Sequence, residues 1–183
     1  MKNQIEEHQR LVAILGEQVD LLERIADRIL ACFEVGGKLY LLGNGGSAAD
    51  AQHIAAELVG RFKKHRRALP AVAMTTDSSI LTAVTNDIGG EHIFARQVEA
   101  LATDRDIVWA LSVSGRSPNV ILALETAKAA GASRIGFTGR SGGPLKDLCE
   151  LCFQADHNAA ERVQEMHQLA YHLVCDRIEQ HYV

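Results

Sequence analysis

The sequence predicts a doubly wound α/β fold: a five-stranded parallel sheet covered by helices on both faces, with a long N-terminal helix. Two observations carry this expectation. Compact apolar runs at 38–42, 71–74, 107–111, 134–138 and 151–155 are separated by stretches with helical spacing, the alternation that a parallel sheet with crossover helices requires. The runs are nearly all apolar rather than two-periodic, as expected of strands buried on both faces. Ligands in such folds sit beyond the carboxyl ends of the strands.

The chain opens with Leu11, Ile14, Leu15, Val19, Leu22, Ile25, Ala26, Ile29, Leu30 and Phe33 at helical spacing, which predicts one long helix or two abutting ones. Such a helix approaches the diameter of a small domain, so residues 1–34 are expected to overhang the core as an oligomerisation segment. The first strand runs into Gly43-Asn44-Gly45-Gly46-Ser47, a turn in which glycines bring the backbone close to whatever binds. Ser47 fits the N-cap of the helix that should follow, and the amides of such a helix start suit an anion. Four positions apart on that helix, His53 and Glu57 share one face, where they can hold a metal or a proton together; the same spacing also describes a surface ion pair.

The run Arg61-Phe62-Lys63-Lys64-His65-Arg66-Arg67 is expected to be a solvated helix end that favours anions nearby; its single aromatic argues against nucleic-acid binding. After the second strand, Asn86-Asp87 precedes Gly89-Gly90 and is expected to form a turn. The third strand leads into Ser112-Val113-Ser114-Gly115-Arg116-Ser117-Pro118, where Ser117 fits an N-cap and Pro118 the first helical position. The hydroxyls of Ser112, Ser114 and Ser117, with the amides of Gly115 and the helix start, would wrap a phosphate without a lysine. The plain alternative is a serine-rich turn that caps a helix; the glycine turn on another strand favours the ligand. The last helix is expected over about 159–180.

A chain of 183 residues with 47% hydrophobic content is expected to form one domain with an ordinary core. Its formal charge of −4 gives no general attraction to nucleic acid, so an anionic ligand must be held by local donors. No apolar run reaches membrane-spanning length, and the charged, amphipathic N-terminus is unlike a signal peptide; a cytoplasmic protein with no membrane partner is expected. Cys32, Cys149, Cys152 and Cys175 do not resemble a disulfide framework, and Cys149-x-x-Cys152 lacks a second pair, so buried, inert thiols are expected.

Five motifs then occur in order: Gly-Asn-Gly-Gly-Ser at 43–47, His53 with Glu57, Asn86-Asp87, the 112–117 loop, and Arg162-Val163-Gln164-Glu165-Met166-His167. Together they resemble the sugar isomerase (SIS) domain family, with its flavodoxin-like three-layer sandwich, and within it the phosphoheptose isomerases. The resemblance spans nearly the whole chain beyond the N-terminal helix. It implies conversion of sedoheptulose 7-phosphate to D-glycero-D-manno-heptose 7-phosphate through an enediolate, a step toward the heptose of bacterial lipopolysaccharide. It implies Glu57 and His172 as catalytic acid/base groups. Substrate contacts are implied for Asn44, Gly45, Gly46, Ser47, Glu57, Asn86, Asp87, Ser112, Val113, Ser114, Ser117 and Gln164.

The resemblance also implies one zinc per subunit on His53, Glu57, Gln164 and His172. Gln164 and His172 diverge by about 80° on an ideal helix, so the long glutamine side chain must close the gap. The metal-free alternative keeps Glu57 and His172 as a simple acid/base pair. A homotetramer with sites at subunit interfaces is implied. The sequence departs from the family at Val113, commonly threonine, and Arg116, commonly asparagine; the first removes a hydroxyl and the second offers a charge-assisted contact. His167 receives no role and is expected to be packed or solvated. The competing class is a non-catalytic relative that binds the bacterial replication initiator protein. That relative, by resemblance, lacks the acid at the Glu57 position and the histidine of the last helix, both of which are present here. A sugar-phosphate-sensing regulator would need a DNA-binding domain for which the chain has no room.

Overall fold

The computed structural model describes residues 1–183. The N-terminal segment is two helices, α1 (Lys2–Gly16) and α2 (Val19–Glu34), broken at Glu17 and Gln18. Gln18 Nε2 donates to the carbonyl of Gln154 at 3.1 Å, which ties the break to the far edge of the sheet. Leu11 and Leu15 of α1 are buried, whereas Ile5, Val12 and Val19 stay exposed.

The chain continues through β1 (Leu39–Gly43), α3 (Gly46–Val59), β2 (Ala71–Ala73), α4 (Ser78–Asp87), a 3-10 turn (Gly90–His92) and α5 (Ala95–Leu101). Then come β3 (Ile107–Ser112), α6 (Pro118–Ala129), β4 (Ser133–Thr138), α7 (Gly143–Leu148), β5 (Leu151–Gln154) and α8 (Ala160–His181). The five strands are parallel in the order β2-β1-β3-β4-β5. Each expected strand is present within a residue at either end.

Alternate residues of the strands serve two cores. Leu39, Leu41, Ile107, Trp109, Leu111, Ile135, Phe137 and Phe153 pack with α1, α2, α3 and α8, while Tyr40, Leu42, Val108 and Ala110 pack with α5, α6 and α7. Trp109, Phe137 and Phe153 stack in turn, with centroids 4.9 and 5.0 Å apart. Burying side chains of this size contributes about 1.5–3 kcal/mol each. Strand β1 connects to neighbours on opposite sides, so β1 and β3 diverge at the topological switch point, where a ligand crevice opens. The loops 43–46 and 112–117 flank that crevice.

One local expectation is corrected and a second holds in part. Asn86 and Asp87 are not a turn but the last two residues of α4. The helix persists because the amides of Ile88 and Gly89 both bond to the carbonyl of Val84 at 3.0 Å, so the chain breaks only at glycine. The basic run follows the end of α3 and is largely exposed, as expected, but one of its residues turns inward. The Arg66 side chain is 1% exposed, and its guanidinium donates to the carbonyls of Glu57 (2.6 Å), Leu58 (2.8 Å) and Gly60 (3.1 Å). It thereby satisfies the orphan carbonyls that end α3.

Candidate active site

Gly45, with φ of 55°, is the N-cap of α3, so the expected capping role of Ser47 is not realised. The left-handed turn starts the helix two residues early, and Ser47 sits in its first turn, 6% exposed. Its amide bonds to the carbonyl of Asn44 at 3.0 Å. The Asn44 side chain exchanges two hydrogen bonds of 2.9 Å with Asn119, which stitches the β1–α3 loop to the start of α6. Asn119 directly follows the Ser-Pro helix start, the only sequence signal that marked it.

After the neighbouring strand, Ser117 occupies the N-cap position of α6 with Pro118 in the first turn, as expected, but its hydroxyl makes no capping bond. The hydroxyls of Ser112 and Ser117 lie 3.2 Å apart, and the Ser114 hydroxyl accepts from the amide of Arg116 at 3.2 Å. Val113 turns its side chain onto the larger core and its carbonyl accepts from the amide of Gly139 at 2.9 Å. Arg116 is exposed. The loop therefore groups three hydroxyls and a free guanidinium at one helix N-terminus.

Beyond the glycine turn, the ligand atoms of His53, Glu57 and His172 all lie within 4.8 Å of one another. His53 Nε2 is 2.9 Å from a Glu57 oxygen. The rings of His53 and His172 meet edge to face at 5.1 Å, and Phe62 covers His172 at 5.6 Å. His53 and Glu57 side chains are 38% and 20% exposed, so the cluster is open to a ligand. Burial pushes the His172 imidazole below its usual range; His53 and Lys63 add to that and Glu57 opposes it. Two imidazoles and a carboxylate form the nitrogen and oxygen donor set that zinc takes when three protein ligands leave a position for substrate.

Gln164 reaches back from α8 over Gly46: a Cβ built there would lie 2.8 Å from the amide carbon of Gln164. Burial raises the pKa of Asp50, and the Gln164 amide, Tyr171 and His53 oppose it only in part. Asn86 and Asp87 are exposed and their side chains bond to each other, at 2.7 Å; the protomer does not join them to the cluster.

His167 is fully buried, with Nε2 3.1 Å from the carbonyl of Thr138, and it stays outside the site. The four cysteines are free, and burial pushes the Cys152 thiol up to about 12. Asp50, Tyr171 and Glu179 lie near the site but carried no local sequence signal, whereas Phe62 and Arg66 were marked only as members of the basic run. Glu179 accepts from the amides of Phe62 (2.9 Å), Lys63 (2.7 Å) and Lys64 (2.8 Å), fixing the chain that leaves α3.

A family model described as SIS domain matches residues 5–139. The phosphoheptose isomerase of Roseiflexus sp. (strain RS-1) is 51% identical over 162 residues, 88% of this chain and 82% of that protein. That of Burkholderia pseudomallei (strain K96243) is 47% identical over 180 residues, 97% of this chain and 91% of that protein. The solved structure of a phosphoheptose isomerase from Neisseria gonorrhoeae superposes with a TM-score of 0.92 at 38% identity, covering 98% of this chain and 96% of that one.

Proposed function

The chain belongs to the SIS-domain family and, within it, to the phosphoheptose isomerases, and on that basis we propose how its residues interconvert sedoheptulose 7-phosphate and D-glycero-D-manno-heptose 7-phosphate. The observation that carries the proposal is the convergence of His53, Glu57 and His172 within 4.8 Å beside two loops at the sheet's carboxyl edge.

Ser112, Ser114 and Ser117, with Ser47 and the α6 helix start, take the phosphate. Asn44, Gly45 and Gly46 line the sugar, with Asn86 and Asp87 contacting hydroxyls and Val113 contributing backbone only. In the open-chain ketose, the Glu57 carboxylate removes the C1 proton, and the electron pair forms the C1–C2 double bond of the enediolate as C2=O becomes C2–O⁻. His172 moves the proton from O1 to O2, and Glu57 returns the carbon proton to C2, leaving the C1 aldehyde. His53, Glu57, His172 and Gln164 would hold one zinc ion per subunit. When bound, zinc would polarise a substrate oxygen. The metal-free reading leaves the same Glu57 and His172 roles in place.

We further propose, from the family resemblance, that the product feeds the heptose of lipopolysaccharide and that the protein works in the cytoplasm. No helix is long and apolar enough to cross a membrane. We also propose a homotetramer with interfacial sites, in which residues 1–34 contribute contacts. Exposed Ile5, Val12, Val19, Ile80, Ile88 and Leu173 support it, as does α4, which carries Asn86 and Asp87 but buries no residue in the protomer. Light scattering that returned a monomer would remove that part. The adaptor alternative gains no support from the relatives described above, which are named as isomerases.

Turnover of sedoheptulose 7-phosphate is the test, with added zinc and after chelation, for wild type and Glu57→Gln. Aldose formation that Glu57→Gln lowers by about 10²–10⁴-fold is expected. No turnover under any condition would sink the proposal, undiminished turnover in Glu57→Gln would sink the base, and indifference to chelation would remove zinc from the chemistry.

A further inference from the structure

The side chains of Asn44 and Asn119 meet across the ligand crevice. Gly43, the last residue of β1, is in register with Leu111 of β3, so the chain leaves the two strands side by side, as the glycine turn on one and the serine loop on the other. Asn44 belongs to that turn, and Asn119, two residues past Ser117, to the first turn of α6. Both backbones are held. The carbonyl of Asn44 accepts from the amide of Ser47 at 3.0 Å, and the carbonyl of Ser117 accepts from the amides of Val120 and Ile121 at 3.1 and 3.0 Å.

The two side chains form a closed pair: Asn44 Nδ2 donates to Asn119 Oδ1, and Asn119 Nδ2 donates to Asn44 Oδ1, each at 2.9 Å. Flipping one amide alone would set nitrogen against nitrogen and oxygen against oxygen, so each residue fixes the orientation of the other. A side-chain amide carries two N–H groups and an oxygen with two lone pairs. The pair uses one N–H and one lone pair of each, which leaves, along either edge, a free N–H of one amide beside a free lone pair of the other. Such an edge suits a hydroxyl, which donates and accepts at once. It does not suit a phosphate, which near neutral pH has few protons to give. Asn44 is exposed and Asn119 half-buried, so the pair is open to a ligand. The serine loop lies on one side of it, and on the other lies Gly46 with the Gln164 amide packed against it.

We infer that Asn119 is a further sugar-binding residue: closed on Asn44, it forms a hydroxyl-binding bridge between the phosphate loop and the His53–Glu57–His172 cluster, where it holds the hydroxylated middle of the substrate chain. This assignment rests on the substrate reading above. It also gives the Asn44 amide a fixed orientation that it would lack alone.

The test is steady-state kinetics on the full chain, with sedoheptulose 7-phosphate as substrate and inorganic phosphate as competitive inhibitor. Asn119→Ala is expected to lower kcat/KM about fivefold to tenfold, the worth of one or two neutral hydrogen bonds, and to leave the Ki of inorganic phosphate at the wild-type value. Asn44→Ala is expected to do the same. The double variant should lose less than the product of the two single losses, because either change alone already breaks the pair. An unchanged kcat/KM in Asn119→Ala overturns the inference. So does a Ki for phosphate that rises by the same factor as kcat/KM falls, since the change would then act through the α6 helix start and the phosphate loop. Losses that multiply in the double variant overturn the joint action of the two amides. Wild-type protein that does not turn over the heptose phosphate overturns the substrate reading and the inference with it, whereas wild-type turnover that Asn119→Ala leaves intact overturns the inference alone.

Discussion

The carboxylate of Glu179, near the end of α8, accepts a hydrogen bond from the amide of Lys63 at 2.7 Å. The last helix thereby grips the chain just beyond Glu57, together with the amides of Phe62 and Lys64 and the buried guanidinium of Arg66 3.6 Å away. Through Phe62, the same grip reaches the ring of His172.

Removing that carboxylate leaves three amides without an acceptor and the buried Arg66 guanidinium without its neutralising charge. Glu179→Ala is expected to lower stability by about 3–5 kcal/mol, measured by urea unfolding. Burial pushes the Glu179 pKa up, but the three amides and Arg66 outweigh it and hold it below the ordinary 4.5. A depressed folded-state pKa means the contribution is complete above the unfolded value and is lost as pH falls through the folded one. The loss of stability on acidification below about pH 4.5 should therefore be shallower in Glu179→Ala than in wild type.

Burial lowers the His167 pKa from 6.5 to about 4, against the opposing effect of the Thr138 carbonyl. The unfolded chain thus takes the proton first, and stability that is full above pH 6.5 declines as pH falls toward 4. The span corresponds to about 3 kcal/mol. His167→Phe, set between Phe137 and Phe153, should flatten unfolding free energy over that window. A slope equal to wild type would show that another group supplies it.

In the proposed binding mode, phosphate at the 112–117 loop would lie away from the reacting carbons. Ser117→Ala is expected to raise KM about fivefold, the worth of one hydrogen bond of about 1 kcal/mol, with kcat little changed. Arg116→Ala should also raise KM, by a factor that shrinks with added salt because the guanidinium is exposed. A fall in kcat at constant KM in either variant would place the phosphate elsewhere.

Gly46 leaves room for the Gln164 amide, and no side chain fits between them. Gly46→Ala is expected to displace Gln164 and lower turnover and zinc affinity together by about tenfold or more, while thermal unfolding moves little. Unchanged zinc affinity in this variant would remove Gln164 from the ligand set.

The parallel sheet and the two ligand loops were legible because their signals are local. An all-apolar run bounded by glycine specifies a buried strand, and Ser117-Pro118 specifies a helix start, from a few neighbouring residues. Ser47 and Asn86-Asp87 were misread on the same local ground. Gly45 supplied an earlier cap than Ser47, and the backbone of α4 continued through Asp87 until Gly89.

By itself, the sequence determined the fold class, the pairing of His53 with Glu57, and the serine loop, since helical spacing and turn chemistry act within a few residues. His172, more than a hundred residues later, was reached in the sequence only through the family resemblance, and it is the tertiary structure that brings it to the cluster. The tertiary structure alone turned Arg66 inward as a helix cap, gave Glu179 its three amides, and set Tyr171 between Asp50 and His53. Those contacts join α8 to α3 and to the chain that leaves it, and their partners are fixed by packing over distances that no local pattern encodes.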